Sequence, residues 1–192
     1  MKDHLIWKEE DRKTVCQSRV FAVEEIRSRS PANCDGSFNE GTFTVVNTGD
    51  WAIVIPVLLT ERGREFVMVW QWRHGAKKLS LEFPGGVFER GEDAEKAACR
   101  ELREETSYIP GKITKLAVMS PNPAIMTNSV HFFLAEDLKS AGSQSLDEDE
   151  FVETVLIPEE EVLRGMGKEP FIHALMGCAL SLYRGCLENP IC

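Results

Sequence analysis

Hydrophobic and polar positions change period once, sharply, near the middle of the chain. Over residues 79–83 the apolar side chains Leu79, Leu81 and Phe83 alternate with polar ones, which predicts a short strand. Pro84 ends it, because proline offers no N–H to a ladder. Gly85 and Gly86 then predict a turn in which the backbone comes close to another group. From Asp93 the period becomes helical. Asp93 is the expected N-cap; Lys96 stands three residues on, so no capping box forms. Positions 94, 97, 98, 101, 104 and 105 share one helix face. Its first half is Ala94, Ala97 and Ala98, and its second half is Glu101, Glu104 and Glu105.

Residues 1–13 are charged and predict a loose lead-in. Residues 20–26 and 41–48 read as strands separated by turn chemistry, and together predict a small antiparallel sheet. The turn at residues 47–50 is a boundary, giving an N-terminal segment 1–48 and a main domain 49–192. Residues 51–59 and 65–73 predict a hairpin through Thr60-Glu61-Arg62-Gly63. The first of them is nearly all apolar, as a central strand buried on both faces would be. Further strands are expected at 113–120, 130–135 and 151–157, with a polar, flexible stretch at 136–150. Pro158 suits the start of a short helix running to Arg164. A final helix over residues 169–187 would pack Phe171, Ala174, Leu175, Cys178 and Leu182 into the core. Strands interrupted by one internal and one terminal helix predict an α/β sandwich.

A length of 192 residues suits one domain of moderate size with a small appendage. The net charge of −9 argues against a nucleic-acid-binding surface, and it means that an anionic ligand needs local cations. Six cysteines include no CxxC pair, the first residues are charged throughout, and no apolar run reaches a membrane span. A cytoplasmic protein with reduced thiols and no membrane association is expected.

Three carboxylates on one helix face repel, by roughly 0.2–0.5 kcal/mol per pair. A solvated acidic face is one explanation. A hard divalent cation with oxygen ligands is the other, and the carboxylates' continuation of the alanine stripe favours it. Arg100 reaches Glu104 at i,i+4 and offsets part of the repulsion. The spacing from Gly86 through five residues to Glu92, then seven residues to Arg100-Glu101-Leu102-Arg103-Glu104-Glu105, resembles the Nudix box. Ser107 and Tyr108 stand where that box has glycine and an aliphatic residue. If position 107 needs a left-handed backbone, serine costs more there than glycine.

The resemblance implies a Nudix-type α/β/α sandwich with a mixed sheet, plus the small N-terminal antiparallel sheet. It also implies metal-dependent hydrolysis of a pyrophosphate bond. Mg²⁺, or alternatively Mn²⁺, would sit on Glu101, Glu105 and the Gly85 carbonyl, with Glu104 nearby and Glu92 and Arg100 in support. Residues 147–150, Asp-Glu-Asp-Glu, read either as a solvated loop or as a mobile source of a base. Their pattern is similar to the loop of the ADP-ribose pyrophosphatase branch, which implies Glu148 as base and Glu150 as a further metal contact. Glu104 is the competing base. Gln71-Trp72-Arg73 resembles a substrate-binding element of the same branch; a surface ion pair is the other fate open to Arg73. Trp51, Trp70 and Trp72 are candidates to stack on a nucleobase, with core packing the alternative for Trp51. Pro123, 16 positions beyond Ser107, matches a mark of the branch, whereas the loop around it departs from the usual composition. The implied substrate is a nucleoside diphosphate linked to another group, with ADP-ribose leading, cleaved to AMP and ribose 5-phosphate. The implied assembly is a homodimer paired through the N-terminal strands. A different nucleotide sugar, FAD, NADH, or a non-catalytic nucleotide-binding module are the alternatives.

Overall fold

In a computed structural model, which describes residues 2–146 and 151–188, the apolar run after residue 50 is the middle of a mixed sheet. The chain divides into two units, Met1–Gly49 with Ser120–Ser129, and Asp50–Met119 with Val130–Cys192.

The first unit holds three antiparallel strands, β1 (Lys8–Gln17), β2 (Phe21–Arg29) and β3 (Glu40–Thr48), in that order across the sheet. β1 corrects the expected lead-in. Every one of its positions is exposed, so it carries no hydrophobic alternation, and its strand form comes from backbone pairing with β2. Arg12 ties the hairpin together by bonding both Glu9 and Glu24. The 120–129 loop joins β3 through Val46, whose N–H donates to Ile125 and whose carbonyl accepts from Thr127.

The second unit contains β4 (Trp51–Thr60), β5 (Gly63–Arg73), β6 (Lys78–Glu82), β7 (Gly85–Val87), α1 (Ala94–Thr106), β8 (Tyr108–Ile109), β9 (Lys112–Met119), β10 (Val130–Glu136), β11 (Lys139–Ser140), β12 (Val152–Pro158), α2 (Glu159–Gly165) and α3 (Ala174–Glu188). The main sheet runs β12-β5-β4-β10-β9, with β6 beside β5 and β7 beside β4. β10 is parallel to β4 and the other pairs are antiparallel, so the sheet is mixed. Among the described residues, no helix is long and apolar enough to cross a membrane.

β4 is apolar at every buried position because both of its faces are covered. Ile53 and Ile55 enter one core with Phe132 and Leu134 of β10, Val162 of α2, and Met176, Ala179, Leu180 and Tyr183 of α3. Ala52 and Val54 point the other way, into a core with Phe133, Ala135, Ala97, Ala98 and Leu102. The second core is built largely from small side chains, which lets α1 lie close to the sheet. The buried stripe of α3 differs from the expected one. It is turned by one position, to Met176, Ala179, Leu180 and Tyr183, while Leu175, Cys178 and Leu182 flank it. The helix also starts later than expected, at Ala174, after Pro170 and a non-helical segment. Phe171 is buried from that segment instead.

Two further expectations change. Gly85 and Gly86 lie in strand β7, paired with Ile53 and Ala52, and do not form a turn. The polar stretch that follows β10 is tied down before residue 147. Ala141 and Ser145 donate backbone N–H groups to the carbonyls of Ser107 and Glu104, and the Gln144 amide bonds the Glu105 carbonyl. Those carbonyls are the ones a helix C-terminus leaves without partners, so the segment completes α1.

α1 begins as expected, with Asp93 accepting from the N–H groups of Glu95 and Lys96. It ends on Ser107 in the left-handed conformation, with φ 62° and ψ 19°. A non-glycine residue there costs about 1 kcal/mol. Ser107→Gly is therefore expected to raise the melting temperature by about 2–4 °C in calorimetry, and an unchanged or lower value would remove the strain from this position.

Candidate active site

Glycine and alanine bring α1 and β7 into contact. A methyl group added at Gly86 would run into the Glu101 carboxylate, and one at Gly85 into the Ala52 carbonyl. Neither glycine has a positive φ, so closeness, not turn geometry, requires them. Glu101 and Glu105 are buried at 7% and 2% exposure on the face that continues the alanines, whereas the Glu104 side chain is more open.

These carboxylates are held from two sides. The backbone N–H of Gly85 donates to Glu105 Oε2 at 3.0 Å. Arg100 donates through Nη1 to Glu101 Oε1 at 2.8 Å and to Glu104 Oε2 at 3.0 Å. Its Nε and Nη2 form a fork on Glu92, each bond 2.9 Å, and Nη2 also reaches the Val87 carbonyl. The guanidinium holds the Glu92 carboxyl below its ordinary range, and the three carboxylates push the Arg100 pKa up. Glu92 Oε2 further accepts from the Glu89 N–H, so Glu92 and Arg100 clamp the loop between β7 and α1. Thr154 of β12 and Gln144 both donate to the Glu105 carbonyl, fixing the end of the helix against the sheet.

Among the described residues, no three His, Cys, Asp or Glu side chains are grouped as a ready-made metal site. Arg100 stands as the cation between Glu101 and Glu104. The donor set nevertheless fits a hard divalent ion: oxygen-only side chains on one buried helix face, drawn against the backbone of a glycine pair because no Cβ stands between them.

Arg73 and Trp72, neighbours in sequence, point to opposite faces of β5. Trp72 pairs in register with Leu79 and is 48% exposed, on the face that Trp70 and Leu81 share. Trp51 is partly buried against the larger core. Arg73 makes a fork on Glu82, with Nε to Oε1 at 2.9 Å and Nη2 to Oε2 at 2.6 Å. Burial pushes the Arg73 pKa down, but the Glu82 carboxylate, with a smaller contribution from Glu105, outweighs it and the net shift is upward. Glu148 and Glu150 lie outside the described residues, so no position is assigned to either.

Glu82 is the residue that sequence reasoning missed. It is a carboxylate with 1% exposure, inside the chain's short alternating strand. The signal was available: the pattern that turns Leu81 and Phe83 to the core turns Ser80 and Glu82 to the Arg73 face. Burial alone would raise the Glu82 pKa, but the Arg73 guanidinium outweighs it and the net shift is downward. A depressed folded pKa means that folding releases protons. The carboxylate's contribution is complete above the ordinary glutamate range and is lost as pH falls through the folded value. Glu82→Gln is expected to cost about 2 kcal/mol in urea unfolding at neutral pH. The gap should close towards pH 3, and a gap that stays constant with pH would refute the charge assignment.

The comparisons with known proteins come down on the same segment. A family profile described as "NUDIX domain" matches residues 50–175. The chain is similar to the ADP-ribose pyrophosphatase of Bacillus subtilis (strain 168), 38% identical over 58% of this chain and 60% of that protein. It is similar to the methanol dehydrogenase activator of Bacillus methanolicus, 33% identical over 57% of this chain and 60% of that protein. The chain thus spans about three fifths of the length of these relatives. Its fold matches a solved structure titled "Crystal structure of ADP compounds hydrolase" with a TM-score of 0.78, at 23% identity, covering 95% of this chain and 94% of that one.

Proposed function

The chain belongs to the Nudix family, and on that premise we propose that it hydrolyses the pyrophosphate bond of a nucleoside diphosphate joined to another group. ADP-ribose is the leading substrate, giving AMP and ribose 5-phosphate. The observation that carries the reading is the buried acidic face of α1 against the glycine pair of β7. The similarity to an ADP-ribose pyrophosphatase supports the choice of substrate.

Glu101, Glu104, Glu105 and the Gly85 carbonyl are the groups that would hold divalent cations, Mg²⁺ or Mn²⁺, with Glu150 as a further contact. Bound there, such cations would supply charge neutralisation for the pyrophosphate and would lower the pKa of a water. The chain's own groups do the rest. Glu101 and Glu105, buried and anchored by Arg100 and the Gly85 N–H, are preorganised acceptors that need no rearrangement to meet positive charge. Glu92 keeps the loop of the cradle in place through Arg100. Arg73 presents its guanidinium to a phosphoryl oxygen, and Nη1, which makes no hydrogen bond among the described residues, supplies the donors. The attacking water loses its proton to Glu148 or to Glu104. Of the three helix carboxylates Glu104 is the most open to solvent, which supports it as the alternative base. Charge spread over the phosphoryl oxygens in a loose transition state makes these electrostatic contacts the main source of rate.

The N-terminal strands support a homodimer. β1 exposes all ten residues and lacks a strand partner on its outer edge among the described residues, and Trp7, Phe21 and Phe43 are exposed apolar groups in the same unit. Trp72, half exposed, remains the candidate for nucleobase stacking.

The reading is tested by a panel of ADP-ribose, nucleotide sugars, FAD, NADH and a nucleoside triphosphate with Mg²⁺, followed by AMP and phosphate-monoester release. ADP-ribose is expected to be preferred. Preference for another diphosphate would retire the substrate, and absence of any hydrolysis by folded protein would retire the enzyme. Glu105→Gln should leave the circular-dichroism spectrum unchanged and lower kcat by about 10²–10⁴-fold, as loss of a charged acceptor at a developing charge does. Wild-type turnover in that variant would defeat the assignment. Glu148→Gln and Glu104→Gln separate the two bases: the larger fall in kcat, about 10²-fold or more, marks the residue that takes the proton.

A further inference from the structure

Glu105 stands next to the last residue of α1, where a helix has run out of partners for its own carbonyls and where helices fray. It is nevertheless held at both ends. Its carboxylate Oε2 accepts the backbone N–H of Gly85 in β7 at 3.0 Å. Its carbonyl accepts the Thr154 hydroxyl of β12 at 2.9 Å and also the Gln144 side-chain amide. Gln144 Nε2 reaches Thr154 Oγ1 as well, at 3.0 Å, so the three groups close a triangle. Every hydrogen in it has an acceptor: two from the amide, one from the hydroxyl, and both lone-pair positions of the carbonyl are in use.

The two donors come from different parts of the chain, and neither belongs to the box. Gln144 lies on a strap that starts at β11, which pairs with β8 just beyond α1. The strap runs back along the helix end, with the Ala141 N–H on the Ser107 carbonyl at 2.7 Å and the Ser145 N–H on the Glu104 carbonyl at 3.1 Å. Gln144 is exposed, so core packing gives it no other use. Thr154 is fixed by strand register, opposite Val69 of β5. β7 lies beside β4 and β12 beside β5, so Glu105 is tied to two places on one sheet. With its backbone pinned, only the side-chain torsions of Glu105 remain free, and the Gly85 bond settles those.

We infer that Gln144 and Thr154 are positioning residues: by filling the Glu105 carbonyl they fix the last turn of α1, and with it the carboxylate that meets a divalent cation. The inference rests on the proposal that Glu105 is a cation ligand. Groups that orient a ligand are as much a part of such a site as the ligand itself.

The test sets the hydroxyl against strand stability. Thr154→Val keeps the branched shape and loses the hydroxyl, Thr154→Ser keeps the hydroxyl, and Gln144→Met keeps the length without the amide. Valine is the better strand former and serine the poorer, so strand propensity ranks the two Thr154 variants one way and the hydroxyl ranks them the other. In ¹⁵N-resolved NMR of the metal-free protein, the Gly85 amide proton should move upfield in Thr154→Val and Gln144→Met, as its bond to Glu105 lengthens, and stay near wild type in Thr154→Ser. In electron paramagnetic resonance titrations, Mn²⁺ should bind Thr154→Val and Gln144→Met about three- to tenfold more weakly than wild type, at or below the loss seen when a contact to a ligand side chain itself is removed. Thr154→Ser should bind Mn²⁺ as wild type does. An unmoved Gly85 signal would overturn the inference, and so would Mn²⁺ affinity that is unchanged in Thr154→Val or that falls equally in Thr154→Ser. A wild type that binds Mn²⁺ but hydrolyses no substrate would retire the enzyme and leave the positioning upheld by the affinities. A Gly85 signal that moves in a protein that binds no Mn²⁺ would retire the cation reading alone and uphold Gln144 and Thr154 as positioning the carboxylate.

Discussion

The close approach of α1 to the sheet is the constraint on which the rest of this structure depends. Ala97 and Ala98 meet Ala52 and Val54, and Gly86 meets Glu101 with no room for a Cβ atom. At that distance the helix cannot hide its acidic residues in solvent. Glu101 and Glu105 are buried at the contact, and two ionised groups without partners there would cost several kcal/mol. The partners come from the same few residues: the Gly85 N–H on Glu105 and the Arg100 fork on Glu92, Glu101 and Glu104. Small side chains create the closeness, closeness buries the carboxylates, and buried carboxylates make a site for positive charge.

Glu82, a further buried carboxylate, follows the same logic. Glu82 is compensated by Arg73, and Arg73 is shared with the field of Glu105. Among the described residues, the Nη1 of that guanidinium makes no hydrogen bond. Buried ion pairs of this kind contribute little net stability compared with apolar packing of the same volume. Their value lies in orientation, since each charge is fixed before any substrate arrives. The end of α1 is held in the same spirit: Ser107 accepts a left-handed backbone, and Gln144, Ser145 and Thr154 occupy carbonyls that water would otherwise take. The chain that leads into the acidic residues 147–150 is thus anchored to the last turn of the carboxylate helix.

The N-terminal unit is organised differently. Its sheet relies on backbone pairing and on ion pairs such as Arg12 with Glu9 and Glu24, and β1 buries none of its side chains. Salt weakens the exposed Arg12–Glu9 pair, whereas the Glu24 carboxylate is buried and also accepts from the Asn47 amide. An exposed strand edge with apolar groups in its unit is what a pairing surface looks like, which is why the homodimer is proposed from this unit.

The sequence by itself determined the period of each element and the spacing of the box. Alternation placed β6, the near absence of polar residues in residues 51–59 marked the central strand β4, and Asp93 fixed the start of α1. The helical spacing of Ala97, Ala98, Glu101 and Glu105 put two of the carboxylates on the packed face, with Glu104 at its more open edge. These features are local, and side-chain period carries them. Only the tertiary structure decided what depends on partners distant in sequence. β1 is a strand because β2 pairs with it, and Gly85 and Gly86 are extended because β4 lies alongside. The stripe of α3 is Met176, Ala179, Leu180 and Tyr183 because that is the face which packs into the core with Ile53, Ile55, Phe132 and Leu134. Glu82 could be assigned to a face from alternation, but its burial and its fork with Arg73 could not, nor could the meeting of the Glu105 carbonyl with Gln144 and Thr154. Such pairings are long-range: a carboxylate's pattern in sequence is the same whether it meets water or a guanidinium, and packing alone determines which.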